Sequence, residues 1–253
     1  MPKVDQPFRA ANALIASLPR SDRDYVGRSC EHYDLKLGDT ICKPGDAIKH
    51  VYFPTASYIS LITPALAAES IEVGMVGDEG MFGITLLLDV EASPLLGLVQ
   101  GAGSALRMSA SRFKLAVNES APFRRTLNRY LYVLTSQLAQ TAACNRYHLL
   151  DARLARWLLM TQDRAHSDTY RLTHEFLAYM LGVRRTGVTE AAGRLQTKRL
   201  IRYRRGELTV LDRGGLEAAA CPCYVEFTKT YLQHLPKPRK IVTQRPGHKV
   251  FAK

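Results

Sequence analysis

The stretch LTHEFLAYMLGVRRTGVTEAAGRLQTKRLI, residues 172–201, decides the fold. Thr173 offers a hydroxyl acceptor at a helix start, and Glu175 in the first turn suits the positive end of the helix. Phe176, Leu177, Met180 and Leu181 form the inward side of that helix. Gly182 allows a tight left-handed bend. A second helix follows, with Val188, Ala192 and Leu195 spaced i, i+4, i+7 to face the first. Its opening residues Arg184, Arg185, Thr186, Thr189 and Glu190 are left free. Two helices joined by a short glycine turn, the second exposing polar side chains at its N-terminal end, are what entry into a DNA major groove requires. An ordinary helical hairpin with a solvated basic face has the same spacing, so the flanking sequence decides between them.

Immediately downstream, Ile201-Arg202-Tyr203-Arg204-Arg205-Gly206-Glu207-Leu208-Thr209-Val210-Leu211 reads as two alternating strands about an Arg-Gly turn. Such a hairpin forms a wing in which Arg202, Arg204 and Arg205 are placed for phosphates. Upstream, residues 123–164 run without Gly or Pro. Within them Leu127, Leu131, Leu134 and Leu138 follow 4-3-4 spacing on a long amphipathic helix. That leucine line serves either as core or as a two-helix dimer seam. A second helix, Leu150 to about Ala165, turns Leu154, Trp157, Leu158 and Met160 inward.

Charge divides the chain in the same place. Residues 1–145 carry 14 basic and 14 acidic side chains, whereas residues 146–253 carry 21 and 9, so the entire net charge of +12 lies in the second part. A neutral half joined to a basic half points to a polyanion-binding unit attached to a sensing or assembly unit, and double-stranded DNA is the expected partner. From about residue 30 to 108 the pattern is different. His50–Phe53, Ser57–Ile62, Ile71–Val76, Leu95–Val99 and Ser104–Met108 are short strand candidates, punctuated by Gly, Pro and Asp turns. Their spacing predicts a jelly roll or barrel. The tail from Pro236 has three prolines and six cationic residues in eighteen and is expected to be disordered.

No run of about 18 apolar residues occurs, so no membrane-spanning helix is expected. The start of the chain makes a poor signal peptide, and five unevenly spaced cysteines fit a reducing cytoplasm. A metal-using jelly-roll enzyme with a non-functional basic C-terminal region is the rival reading. It would need paired histidines and a carboxylate, yet His32 and His50 stand alone and no serine has a nucleophile's context, so no catalytic residue is assigned. Cys221-Pro222-Cys223 could ligate a metal or respond to redox, but it lacks a second cysteine pair at ordinary spacing, and no metal site is assigned.

Taken in order, these features resemble the Crp/Fnr family of bacterial transcription regulators over about residues 28–235. The resemblance rests on Pro44-Gly45-Asp46, Val51-Tyr52-Phe53-Pro54, Ile71-Glu72-Val73-Gly74, Gly77-Asp78-Glu79-Gly80-Met81-Phe82-Gly83, the long helix, and Gly182-Val183-Arg184-Arg185. It implies an α+β chain with an N-terminal segment (1–27) and a double-stranded β-helix (jelly roll) of cyclic-nucleotide-binding type (28–116). A dimerisation helix (117–146), a winged helix-turn-helix (147–235) and the tail (236–253) complete it. It further implies a homodimer on an inverted-repeat operator, and RNA polymerase as a further partner. The family's guanine-reading Arg corresponds to Arg185, while the usual Glu after it is Thr186 and the later Arg is Glu190. The effector pocket would involve Gly77, Asp78, Glu79, Gly80 and Phe82. Cyclic-nucleotide-binding members carry an Arg followed by Ser or Thr there, whereas residues 83–98 contain no cation but do contain Asp89 and Glu91. No cofactor is identified, and a cyclic nucleotide is not expected. Iron–sulphur members have an N-terminal cysteine cluster; here only Cys30 and Cys42 precede Cys144.

Overall fold

Short strands separated by tight turns fold into two facing antiparallel sheets. The computed structural model describes residues 12–64 and 70–235. One sheet contains β1 (Glu31–Leu35), β3 (His50–Pro54) and β7 (Gly103–Ser109) in the order β1-β7-β3. The other contains β2 (Thr40–Cys42), β4 (Tyr58–Pro64), β5 (Ser70–Val76) and β6 (Leu96–Gly101) in the order β2-β6-β4-β5. Leu35, Val51, Phe53, Ile59, Leu61, Val76, Val99, Leu106 and Met108 are buried together in the barrel core. β1 escapes the hydrophobic pattern because four of its five residues are not buried. Its place is fixed by pairing with β7 at the sheet edge. Before the barrel lie α1 (Ala13–Ala16) and α2 (Arg20–Arg28). Residues 1–11 and the tail 236–253, including the disorder expected there, lie outside the described residues.

After β7, α3 (Ala110–Glu119) leads through Ser120 into α4 (Ala121–Tyr147), the long helix. The Ser120 hydroxyl accepts from the Phe123 amide, and Pro122 in the first turn needs no hydrogen-bond partner for its nitrogen. The leucine line does not run free along this helix. Leu127 is fully buried and Leu134 nearly so, both packed into their own barrel's core with Phe123, Tyr130 and Val133, while Leu131 lies against that core partly covered. Of the expected seam Leu127, Leu131, Leu134 and Leu138, the first and third are thus buried within their own chain and Leu131 and Leu138 are half-buried. Leu127 and Leu134 have already met their apolar partners within the chain. The exposed stripe is Asn128, Tyr132, Thr135, Ala139, Ala142 and Arg146.

α5 (Leu150–Ala165) is buried on nearly every side, with Leu154, Trp157, Leu158 and Met160 inward as the periodicity predicts. Around it stand α6 (His174–Leu181), α7 (Arg185–Thr197), α8 (Arg213–Ala219) and α9 (Cys223–His234). A third sheet, β8 (Thr169–Arg171), β9 (Ile201–Arg204) and β10 (Glu207–Val210), has the order β8-β10-β9. The core of this C-terminal part is continuous with the barrel, because Ile62 and Met75 are buried in the same cluster as Trp157, Leu177 and Leu195. Among the described residues, no helix is long and apolar enough to cross a membrane.

Candidate nucleic-acid interface

The bihelical unit forms where its sequence places it. The Thr173 hydroxyl accepts from the Phe176 amide and caps α6, and Gly182 closes that helix at φ 62° and ψ 45°. That left-handed conformation costs glycine nothing sterically, whereas it strains a residue with a Cβ. Leu177, Met180 and Leu181 from α6 and Val188, Ala192 and Leu195 from α7 are all buried, so the two helices are held by a common apolar seam. With that face committed, Arg184, Arg185, Thr186, Thr189 and Glu190 are exposed at the start of α7. Arg184 is the N-cap residue and its side chain makes no capping bond, so the first amides of α7 and the two guanidiniums share one positive end.

Two further residues, not picked out by the sequence, set the orientation of α7. The His174 Nδ1 lies 2.9 Å from the Thr189 hydroxyl, and its ring stacks on Tyr203 with centroids 4.3 Å apart. The Tyr203 hydroxyl donates to the Leu172 carbonyl at 2.8 Å, and the Gln196 side chain accepts from the Tyr203 amide. α6, α7 and β9 are thus bracketed by polar contacts around one imidazole. Burial, and after it the charge of Arg185, lower the His174 pKa, favouring the neutral ring. A residue paired with something 29 positions away in sequence leaves no periodic signal, which is why this bracket is silent in the sequence. Glu190 lies 3.8 Å from Arg194, and Arg194 also makes a two-pronged pair with Asp151.

The wing is a two-residue hairpin. Arg205 at φ 53° and Gly206 at φ 78° turn β9 into β10, matching the left-handed pair that a tight hairpin of this twist requires. Arg202, Arg204 and Arg205 are exposed and, with Arg171, border an open cleft of about 1140 Å³. Its far wall is formed by Leu37, Gly38, Leu98, Val99 and Gln100 of the barrel.

The loop expected to form an effector pocket is occupied by the chain itself. Glu79 pairs with Arg164 of α5 at 2.7 Å, with the guanidinium almost wholly buried. Asp78 lies 3.3 Å from His166 through its side chain and accepts the Ala13 amide through its carbonyl. The Gly80 carbonyl accepts from Asn12, and a Cβ at Gly80 would sit 2.6 Å from the Tyr130 hydroxyl. Phe82 exchanges backbone bonds with Tyr52. Gly77 donates its amide to Glu79. These five residues join α1, α4 and α5 to the barrel, and the anionic groups that a pocket would present are already paired.

A second tie lies beside the first. The Trp157 indole donates to Glu72 at 2.9 Å, Ser60 donates to the other Glu72 oxygen at 2.6 Å, and burial pushes the Glu72 carboxyl up to about 7. Ile71 on the same strand packs against the turn at Gly182, where an added Cβ would lie 2.9 Å from its side chain. The turn of the helix-turn-helix therefore rests directly on β5.

A capped bihelical unit with a free, cationic helix start, followed by a basic two-stranded wing, is a winged helix-turn-helix, and here it is carried on a jelly-roll barrel and one long helix. Residues 152–219 match the model of the Crp-like helix-turn-helix domain. A solved structure from Eubacterium rectale assigned to the Crp/Fnr family of transcriptional regulators is 18% identical, with 83% of this chain and 99% of that chain covered and a TM-score of 0.66. FixK2 from Bradyrhizobium japonicum is 14% identical (76% and 98% covered, TM-score 0.64). CLP from Xanthomonas campestris, a c-di-GMP-responsive global regulator, is 14% identical (76% and 99% covered, TM-score 0.63). No curated protein is significantly similar in sequence. The chain carries a Crp-like helix-turn-helix DNA-binding domain on the fold of the Crp/Fnr transcription regulators.

Proposed function

We propose that this protein is a sequence-specific transcription regulator that binds an inverted-repeat DNA site as a homodimer. The observation that carries the reading is the exposed start of α7, where Arg184, Arg185, Thr186 and Thr189 project beyond a fully packed helix pair. Arg185 reads a guanine through its two-pronged guanidinium, and Thr186 and Thr189 contact neighbouring bases. Arg202, Arg204 and Arg205 contact phosphates, which position the unit without selecting sequence. The second copy joins through the exposed stripe of α4, Asn128, Tyr132, Thr135, Ala139, Ala142 and Arg146. These recur at 4-3-4-3-4 spacing and are small enough at Thr135, Ala139 and Ala142 for two helices to approach closely.

The barrel acts on the DNA-binding part through Glu79–Arg164, Glu72–Trp157 and the contact of Ile71 with the Gly182 turn. Any ligand that shifts β5 or the 77–83 loop then moves the helix-turn-helix with it. A cyclic nucleotide is not that ligand, because residues 83–98 offer its phosphate no counter-charge. RNA polymerase is the expected partner of the bound dimer.

Fluorescence anisotropy with random-sequence duplex DNA at rising salt tests the interface. The expected result is a steep linear fall of log affinity with log salt, made shallower by about one counterion for Arg204→Ala. Salt-independent binding, or none, would contradict the assignment.

A further inference from the structure

Where α4 ends and α9 begins, four potential ligands converge from positions up to 79 residues apart. The Cys144 sulphur, the Cys221 sulphur, the Cys223 sulphur and a ring nitrogen of His148 all lie within 4.8 Å of one another. Cys144 Sγ is 3.4 Å from Cys221 Sγ, and His148 Nδ1 is 3.4 Å from Cys223 Sγ. We propose that Cys144, His148, Cys221 and Cys223 form a Cys3His site for a single divalent ion of the zinc class.

Distance is the first argument. Zinc–sulphur bonds of about 2.3 Å in a tetrahedron set the sulphurs about 3.8 Å apart, with the sulphur–nitrogen edges somewhat shorter. The four atoms, all within 4.8 Å of one another, already lie at separations compatible with such a figure. A disulphide between Cys144 and Cys221 would need its sulphurs at about 2.05 Å, far inside the observed separation. All three cysteines are buried, and His148 is half-buried, so four protein ligands would close the site to substrate, as in structural zinc centres.

Charge is the second. Arg153 and Arg156 project from α5 into this region and are only 7% and 6% exposed. Among the described residues neither stands in an ion pair: Arg153 donates to the Leu181 carbonyl and Arg156 to the Met160 sulphur. A buried cation without a counter-charge is strongly unfavourable. Three thiolates around one divalent ion carry a net charge of −1, which supplies anionic character beside these arginines that three neutral thiols would lack. The surroundings fit a ligand set as well. The Gln140 amide donates to Cys223 Sγ at 2.9 Å, and the Cys221 amide donates to the Ala152 carbonyl. Outer contacts of this kind hold ligands in orientation.

The position gives the site its effect. Cys144 lies in the last turn of α4, and His148 is the residue at which that helix stops before α5. Cys221 and Cys223 bracket Pro222 at the start of α9. One ion would thus clamp the α4–α5 hinge to the far end of the DNA-binding domain.

The full chain, produced with zinc in the medium and purified under reducing conditions, should retain about one zinc per chain after dialysis. Cys221→Ser and Cys223→Ser should each lower that severalfold, while Cys30→Ser and Cys42→Ser leave it unchanged. Because a ligand variant can fail to fold, the unaltered chain is also stripped and titrated with cobalt(II). Intense visible bands of tetrahedral, thiolate-bound cobalt are expected at one equivalent. A folded, reduced chain that holds less than about a tenth of an equivalent of zinc and gives only the weak spectrum of octahedral cobalt would overturn the proposal. So would a Cys144–Cys221 disulphide as the state recovered from the reducing preparation.

Discussion

Arg185 is the residue on which the proposed base reading turns. It stands at the first position of α7, exposed, with the apolar seam of the helix pair behind it. Arg185→Ala should cost about 1–3 kcal/mol at the specific site and relax the preference for guanine at one position per half-site, with a smaller loss on random DNA. Competition assays over single-base variants of the site read this out; an unchanged preference would place base reading elsewhere on α7. Gly80 is the counterpart on the barrel side. A methyl group there meets the buried Tyr130 hydroxyl and ring at 2.6–2.9 Å, and the Tyr130 hydroxyl is fixed by its bond to the Met81 carbonyl. Gly80→Ala should destabilise the chain by about 1–3 kcal/mol in urea denaturation, as overpacking of a tight core does. Single residues were legible in the sequence where local geometry chose them. The Thr173 cap, the Gly182 bend and the Arg205-Gly206 turn each follow from the conformation that the residue type favours. His174, Tyr203 and the Cys144–Cys221 contact were not, because their partners arrive only when distant elements pack.

At the scale of elements, α4 and α5 join the barrel to the helix-turn-helix, and their sequences specify their packing unequally. α5 runs from Leu150 to Ala165 with its apolar residues inward, as periodicity predicts. α4 has the predicted leucine spacing, but spacing alone does not say which surface covers a stripe. The barrel claims Leu127 and Leu134, so the face proposed for a partner is the exposed one around the helix at Tyr132, Thr135, Ala139 and Ala142. Leu134→Glu would therefore break the barrel core, whereas Ala139→Glu should yield folded monomers by light scattering. A dimer of unchanged affinity in Ala139→Glu would move the interface to another surface. The junction of α5 with β5 predicts a pH response. Burial raises the Glu72 carboxyl to about 7, above its unfolded value of 4.5. Ser60, Trp157, Arg156 and Arg164 each offset part of that rise. A folded-state pKa above the unfolded one means that stability from this group is fully present below about 4.5 and is lost as pH rises through about 7. Glu72→Gln should remove that slope, so the difference in denaturation midpoint between variant and parent should grow from pH 5 to pH 8. A constant difference over this range would contradict the buried, protonated carboxyl.

Across the whole molecule, the barrel, long helix and winged helix-turn-helix are legible because the strand-and-turn spacing gives way to helical periodicity after about residue 108 and the basic excess lies wholly in residues 146–253. The 77–83 loop is not. Its glycines and acidic residues match a ligand-binding motif in sequence, while in the fold Arg164, Tyr130 and Asn12 take those groups up. Calorimetry with cyclic AMP and cyclic GMP should accordingly give no binding at micromolar concentration, and DNA affinity should be indifferent to both; a micromolar affinity would reverse this reading of the loop. The central claim is that two such chains read one symmetric DNA site. A single winged helix makes too few base contacts for genomic discrimination, and in the proposed dimer a two-fold axis along α4 would present both α7 helices to successive major grooves on one face of the duplex. Selection of bound sequences from a random DNA pool by the purified chain tests this most directly. The predicted result is an inverted repeat whose half-site centres lie about 10–10.5 base pairs apart, each half containing a guanine whose selection disappears with Arg185→Ala. A single asymmetric site, or a pool left without enrichment, would contradict it.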